Sequence, residues 1–99
     1  MAYNGYLVRN PGVVWRDIAS EVVIADRDNS KIRILNKVAS LIWILADGSK
    51  QIEDIADAVY ERFEVSREQA SSDSEEFLHE LLEAKLVSIQ PVPQGINEV

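Results

Sequence analysis

The chain has 99 residues, enough for one domain with one core. With 46% hydrophobic and 27% charged residues it has the composition of a globular protein, which argues against global disorder. A formal net charge of −7 opposes binding to nucleic acid or anionic lipid, and the lack of cysteine excludes disulfides, thiolate metal sites and thiol catalysis within these residues.

Residues 1–12 contain two Gly, one Pro and two Asn. They read as a flexible N-terminal arm with a short extended piece around Tyr6–Val8. No basic segment followed by an apolar one marks a secretory signal, and no apolar run reaches the ~18–20 residues that span a bilayer. A cytoplasmic location is expected. The domain proper is expected over residues 13–90.

Val13, Val14 and Trp15 begin a β-rich run. Ser20–Asp26 is a second strand, with Val22 and Ile24 on one face and Val23 and Ala25 on the other. Arg27, Asp28 and Asn29 supply turn chemistry. Ser30–Leu35 alternates again: Ile32 and Ile34 point one way, and Lys31, Arg33 and Leu35 the other. The expected product is a small antiparallel meander with an edge at a terminal strand.

Asn36 is an N-cap for a helix in which Val38, Leu41, Ile42 and Leu45 fall on one face. Ala39, Trp43, Ile44 and Ala46 make the other faces apolar too, so this helix is expected to be buried on more than one side. Trp43 and Leu41 are expected to serve folding. Gly48 is placed as a left-handed C-terminal cap. A second helix follows from the spacing of Ile52, Ile55, Ala56, Val59, Tyr60 and Phe63, with Ser49 as its candidate cap. Ser66 with Gln69 forms a capping box for a third helix ending near Lys85. Ala70, Ser74, Phe77 and Leu81 form one stripe on it, and Leu78 and Leu82 a second stripe beside it. Leu86, Val87 and Ile89 read as a last extended segment. Pro91, Pro93 and Gly95 mark residues 91–99 as a flexible C-terminal tail.

Little here suggests catalysis. The single His, His79, sits among Glu75, Glu76, Glu80 and Glu83, which reads as a solvated acidic helix face and not as a metal site. The glycines are scattered and form no phosphate loop. No catalytic residue, cofactor or metal is expected. Three strands and three helices in this order suit a winged-helix-like α+β domain, a three-stranded antiparallel sheet followed by three helices. A DNA reader of that kind wants a basic recognition helix. The third helix instead carries Arg67 and Lys85 against Glu68, Asp73, Glu75, Glu76, Glu80 and Glu83, so DNA binding is disfavoured. A binding module remains. Its features are the edge of the meander, to which an extended peptide can add a strand, the doubled stripe of the third helix, and the local basic cluster Arg27, Lys31, Arg33 and Lys37.

The residues also carry a family resemblance between about Pro11 and Val87. Its marks are Pro11, Val14-Trp15-Arg16, Leu35-Asn36, Ile42-Trp43, Asp47-Gly48, Ile52 and Ile55, then Asp73, Phe77-Leu78, Leu81 and Leu86-Val87. Their order and spacing resemble the PqqD-like proteins, named for the D component of pyrroloquinoline quinone (PQQ) biosynthesis. These are the type for the recognition elements of ribosomally synthesised and post-translationally modified peptides (RiPPs). The resemblance implies a non-catalytic adaptor, or peptide chaperone; from the charge and the lack of a long apolar run, no nucleic-acid or membrane partner is expected. Such an adaptor binds the leader of a precursor peptide as a strand added beside the third strand, against the third helix, and presents it to a modifying enzyme, often a radical S-adenosylmethionine (SAM) protein. On this chain the implied peptide-binding residues are Ser30, Lys31, Ile32, Arg33, Ile34, Leu35, Asp73, Ser74, Phe77, Leu78, Leu81 and Leu82. Lys31 and Arg33 suggest an acidic leader. The turn Asp26-Arg27-Asp28-Asn29 lacks the Pro-Glu segment of quinone-pathway members, which points away from PQQ itself. Lys85 stands where Gly often closes the third helix. The alternative reading is a winged-helix interaction or regulatory subunit that sees no precursor peptide.

Overall fold

Two three-stranded antiparallel sheets and three helices make up the described residues, 4–25 and 31–93, of the computed structural model. In chain order they are β1 (Tyr6–Arg9), β2 (Val14–Ile18), β3 (Glu21–Ala25), β4 (Ile32–Ile34), α1 (Lys37–Leu45), β5 (Asp47–Gln51), α2 (Ile52–Arg62), α3 (Arg67–Glu83) and β6 (Val87–Gln90). One sheet has the order β2-β3-β4 and is the expected meander; the other has the order β5-β1-β6.

The meander follows from its alternation. Val22 and Ile24 on β3 are fully buried, whereas Val14, Ile18, Ile32 and Ile34 on the opposite face are exposed. A tight hairpin joins β2 to β3 through Ala19 and Ser20, both with positive φ, and the Ser20 amide donates to Asp17 Oδ1 at 3.0 Å. The β3–β4 ladder pairs Val23 with Ile34, Ile24 with Arg33 and Ala25 with Ile32. Beyond it the Leu35 amide donates to the Val22 carbonyl at 2.9 Å. The Val22 amide does not return that bond but donates to Ser40 Oγ at 2.8 Å, and Ser40 Oγ donates to the Leu35 carbonyl at 3.3 Å. A buried hydroxyl on α1 thus closes the ladder where the strands part, consistent with the rule that buried polar groups find partners.

The second sheet corrects the expected arm. The short extended piece expected around Tyr6–Val8 is present as β1, but it is the central strand of this sheet and not part of a flexible arm, and Leu7 is only 1% exposed. β1 pairs with β6 along its full length, from Tyr6–Gln90 to Arg9–Val87. On its other side it pairs with β5 across a bulge between Tyr6–Gln51 and Val8–Asp47. Gly48, expected to cap α1, has φ 87° but lies in this irregular strand. Ala46 is the residue that caps α1, its amide donating to the Trp43 carbonyl at 3.2 Å. Ser49, the expected cap of α2, instead donates through its hydroxyl (2.6 Å) and amide (2.9 Å) to Asp47 Oδ1, which holds that carboxyl below the usual carboxylate range. Gln51 precedes α2 without a side-chain capping bond.

Arg9 ties the two layers together. Its Nη1 donates to the carbonyls of Trp43 (2.7 Å) and Ile44 (2.9 Å) near the C-terminus of α1, where a cation complements the helix dipole. Its guanidinium also lies over the rings of Trp15 and Trp43, 4.9 and 6.0 Å from their centroids. Burial pushes the Arg9 pKa down, and the nearby Asp47 charge acts in the other direction.

The expected cap of α1 is present, with Asn36 Oδ1 accepting from the Ala39 amide at 2.8 Å. The buried face differs from the expected one: Ala39, Ser40, Ile42 and Trp43 are buried, while Val38, Leu41 and Leu45 are half-buried at its margins. The α2 stripe buries Ile52, Ile55, Ala56 and Val59. Tyr60 is exposed and lies under the Arg67 guanidinium, 4.3 Å from the ring centroid, while Arg67 also pairs with Asp57 at 2.8 Å.

Ser66 caps α3 by accepting from the Gln69 amide at 3.0 Å. The Gln69 side chain does not complete the capping box; it donates to Asp73 at 2.7 Å. At the other end Lys85 adopts φ 61°, its amide donating to Leu82 and that of Leu86 to Leu81. This is a Schellman motif with Lys in the left-handed position. Asn10 reinforces it, donating through its amide to the Leu86 carbonyl and through Nδ2 to the Lys85 carbonyl. Lys85→Gly is therefore expected to stabilise the domain by about 1 kcal/mol, because the Cβ penalty of the left-handed region disappears. A denaturant titration should move to a higher midpoint with an unchanged slope; a lower midpoint would show that the Lys85 side chain contributes more than its backbone costs.

Candidate functional site

The edge of the meander and the third helix flank a groove of about 360 Å³. One side is β4 and the start of α1, contributing Ile34, Leu35 and Asn36. The floor is α1, through Val38, Ala39 and Ile42. The far wall is α3, which contributes Phe77 and three carboxylates, Asp73, Glu76 and Glu80. Among the described residues, no basic residue lines this space.

The geometry of β4 follows from its register. Leu35 donates its amide toward β3, and alternate residues of a strand direct their amides to the same side. The Arg33 amide therefore faces β3, and the amides of Ile32 and Ile34 face away from it. β4 is last in the strand order, so those two amides lie on the side where another strand pairs.

The structure sorts the residues singled out from sequence. Ile34, Leu35, Asp73 and Phe77 line the groove. Lys31 is exposed and Arg33 half-buried, and neither lines it. Ile32 lies on the outer sheet face, 68% exposed. Ser74, Leu78 and Leu81 are buried at 4%, 2% and 1%, and belong to the core. Leu82 packs partly buried against that core and is not a groove residue. Ser30 lies outside the described residues. The core stripe of α3 is thus Ala70, Ser74, Leu78 and Leu81, and the groove stripe is Asp73, Glu76, Phe77 and Glu80. Glu76 and Glu80 were missed from sequence, although their signal was present: they stand three and seven residues after Asp73, on one helical face.

Among the described residues no group of three His, Cys, Asp or Glu is arranged to hold a metal ion. No helix of the described residues is long and apolar enough to cross a membrane.

The family described as Coenzyme PQQ synthesis protein D (PqqD) matches residues 21–87, more than half of the chain. The solved structure of TbiB1 in complex with the TbiA(beta) leader peptide is similar with a TM-score of 0.72 and 27% identity, covering 92% of this chain and 99% of that one. The structure of lasso peptide synthetase B1 complexed with the leader peptide is similar in fold, with a TM-score of 0.69 and 24% identity over 85% of this chain and 99% of that one. No curated protein matches the sequence.

Proposed function

The chain belongs to the PqqD family, and from that premise we propose that it is a leader-peptide-binding adaptor of RiPP biosynthesis. The leader of a ribosomally made precursor adds as a strand antiparallel to β4 and packs its inward side chains against α3. The adaptor then presents the precursor to a modifying enzyme, for which a radical SAM protein is the candidate. The chain has no catalysis of its own in this reading and acts in the cytoplasm, which its cysteine-free composition suits.

The observation that carries the reading is the pairing of two features at one place. The amides of Ile32 and Ile34 offer main-chain donors along the last strand of the sheet, and an apolar-floored groove runs beside them. Main-chain bonds supply affinity in such an arrangement, and a groove that receives alternate side chains supplies selectivity. That TbiB1, similar over nearly the whole chain, was solved with a leader peptide supports the same assignment.

A titration of isotope-labelled protein with the leader of a precursor encoded beside its gene tests the proposal. Amide shifts are expected in residues 31–39 and along the Asp73–Glu80 face of α3. Shifts confined to β2 and α2 would put the site elsewhere, and no shifts with any such leader would overturn the function.

A further inference from the structure

We infer that the leader taken by this groove carries a basic residue two positions from an apolar one, both directed at α3, with Glu76 and Glu80 selecting the basic residue. The inference rests on the leader-binding reading and names the chemistry of the peptide. The expectation of an acidic leader came from Lys31 and Arg33, neither of which lines the groove. What does line it is a carboxylate wall above an apolar floor.

The two parts of the groove ask for different side chains. Leu35, Val38, Ala39, Ile42 and Phe77 give no hydrogen-bonding side chain to an inward residue, so an apolar one fits there. Glu76 and Glu80 are exposed and pair with no cation among the described residues; Asp73 is already bound by Gln69 Nε2 at 2.7 Å. Two unpaired carboxylates beside a docked strand repel an acidic neighbour and attract Lys or Arg. The dimensions agree. Asp73 to Glu80 spans two helical turns, about 10 Å, and same-face residues of a strand are about 6.6 Å apart, so the wall accommodates two successive inward side chains. One sits over the floor, and the next reaches the carboxylates.

A random peptide library displayed on phage is the probe, panned against the wild-type protein and a Glu76→Lys/Glu80→Lys variant. A Glu53→Lys/Glu61→Lys variant carries the same change of net charge on exposed positions of α2. The wild type and the α2 variant are expected to enrich peptides with Lys or Arg two residues from an apolar residue. The groove variant is expected to lose that enrichment and to favour Asp or Glu. A synthetic peptide from the wild-type pool should shift amides in residues 34–39 and 73–80. It should bind the groove variant about two- to fivefold more weakly, the range expected for an exposed charge pair. A neutral Glu76→Gln/Glu80→Gln variant, which keeps the helix surface polar, should fall between. The same charge preference in wild type and groove variant would overturn the inference and leave leader binding standing. An equal loss in the α2 variant would assign the preference to net charge and also overturn it. Failure of every protein to enrich a groove-binding peptide would remove the leader-binding reading, and the inference with it.

Discussion

Trp43→Ala is expected to destabilise the domain by about 3–5 kcal/mol, measured as a fall in the denaturation midpoint. The indole is 0% exposed in the middle of the shared core. It meets Trp15 edge to face, with centroids 6.0 Å apart and planes at 80°, a geometry worth about 0.5–1.5 kcal/mol beyond area burial. Arg9 lies over both rings and bonds the Trp43 carbonyl. Truncation leaves a cavity that β1, β2 and α1 cannot all collapse into, since backbone pairing holds both strands in place. Domains of this size have about 5–15 kcal/mol in total, so a large share of the stability is at stake. Trp43→Phe should cost less, because it keeps an aromatic ring and no described residue accepts a hydrogen bond from the indole N–H. A fall of less than about 1 kcal/mol for the alanine variant would show that the ring is not part of the core.

Ile34→Pro is expected to reduce leader binding at least about tenfold while the domain stays folded. The Ile34 amide faces away from β3, and Pro is tolerated on an edge strand where no intramolecular ladder bond is lost. Removing that donor costs the complex a main-chain hydrogen bond, about 0.5–1.5 kcal/mol net, and the pyrrolidine ring blocks close approach. Ile34→Ala keeps the amide and separates the side-chain contribution from the backbone one. Arg33→Pro is the opposite probe. Its amide faces β3, so that substitution should damage the domain itself. Isothermal titration with the cognate leader, together with thermal melts, reads both effects. Unchanged binding by Ile34→Pro would show that the leader does not pair with β4. Full stability of Arg33→Pro would show that the register is different.

Local signals gave the two elements that flank the candidate groove but not its lining. The strand Ile32–Ile34 and the helix Arg67–Glu83 were both legible, the first from strict alternation and the second from Ser66 and its following periodicity. Which residues of the helix face the groove was not legible. Phe77 and Leu78 are adjacent and both apolar, so the pattern alone supports either as core. Packing against α1 and α2 decides it, turning Leu78 inward and leaving Phe77 on the groove with the acidic residues. Helix α1 repeats the point. It is apolar on nearly every face, so periodicity did not single out the Ala39, Ile42 and Trp43 face, and Ser40 was not recognised as the buried bridge between Val22 and Leu35.

The sequence by itself determined the caps at Asn36 and Ser66, the alternation of β3 and β4 and the amphipathic stripe of α2. Each of these depends on residues within a turn or two of one another, so a local pattern is sufficient. Only the tertiary structure decided the second sheet. Its central strand joins Tyr6 to Gln51 on one side and to Gln90 on the other, and Asp47–Gln51, with the sequence DGSKQ, has no strand pattern of its own. A short polar strand is made by the partners that accept its backbone hydrogen bonds. Those partners lie far away along the chain, and no local periodicity encodes them.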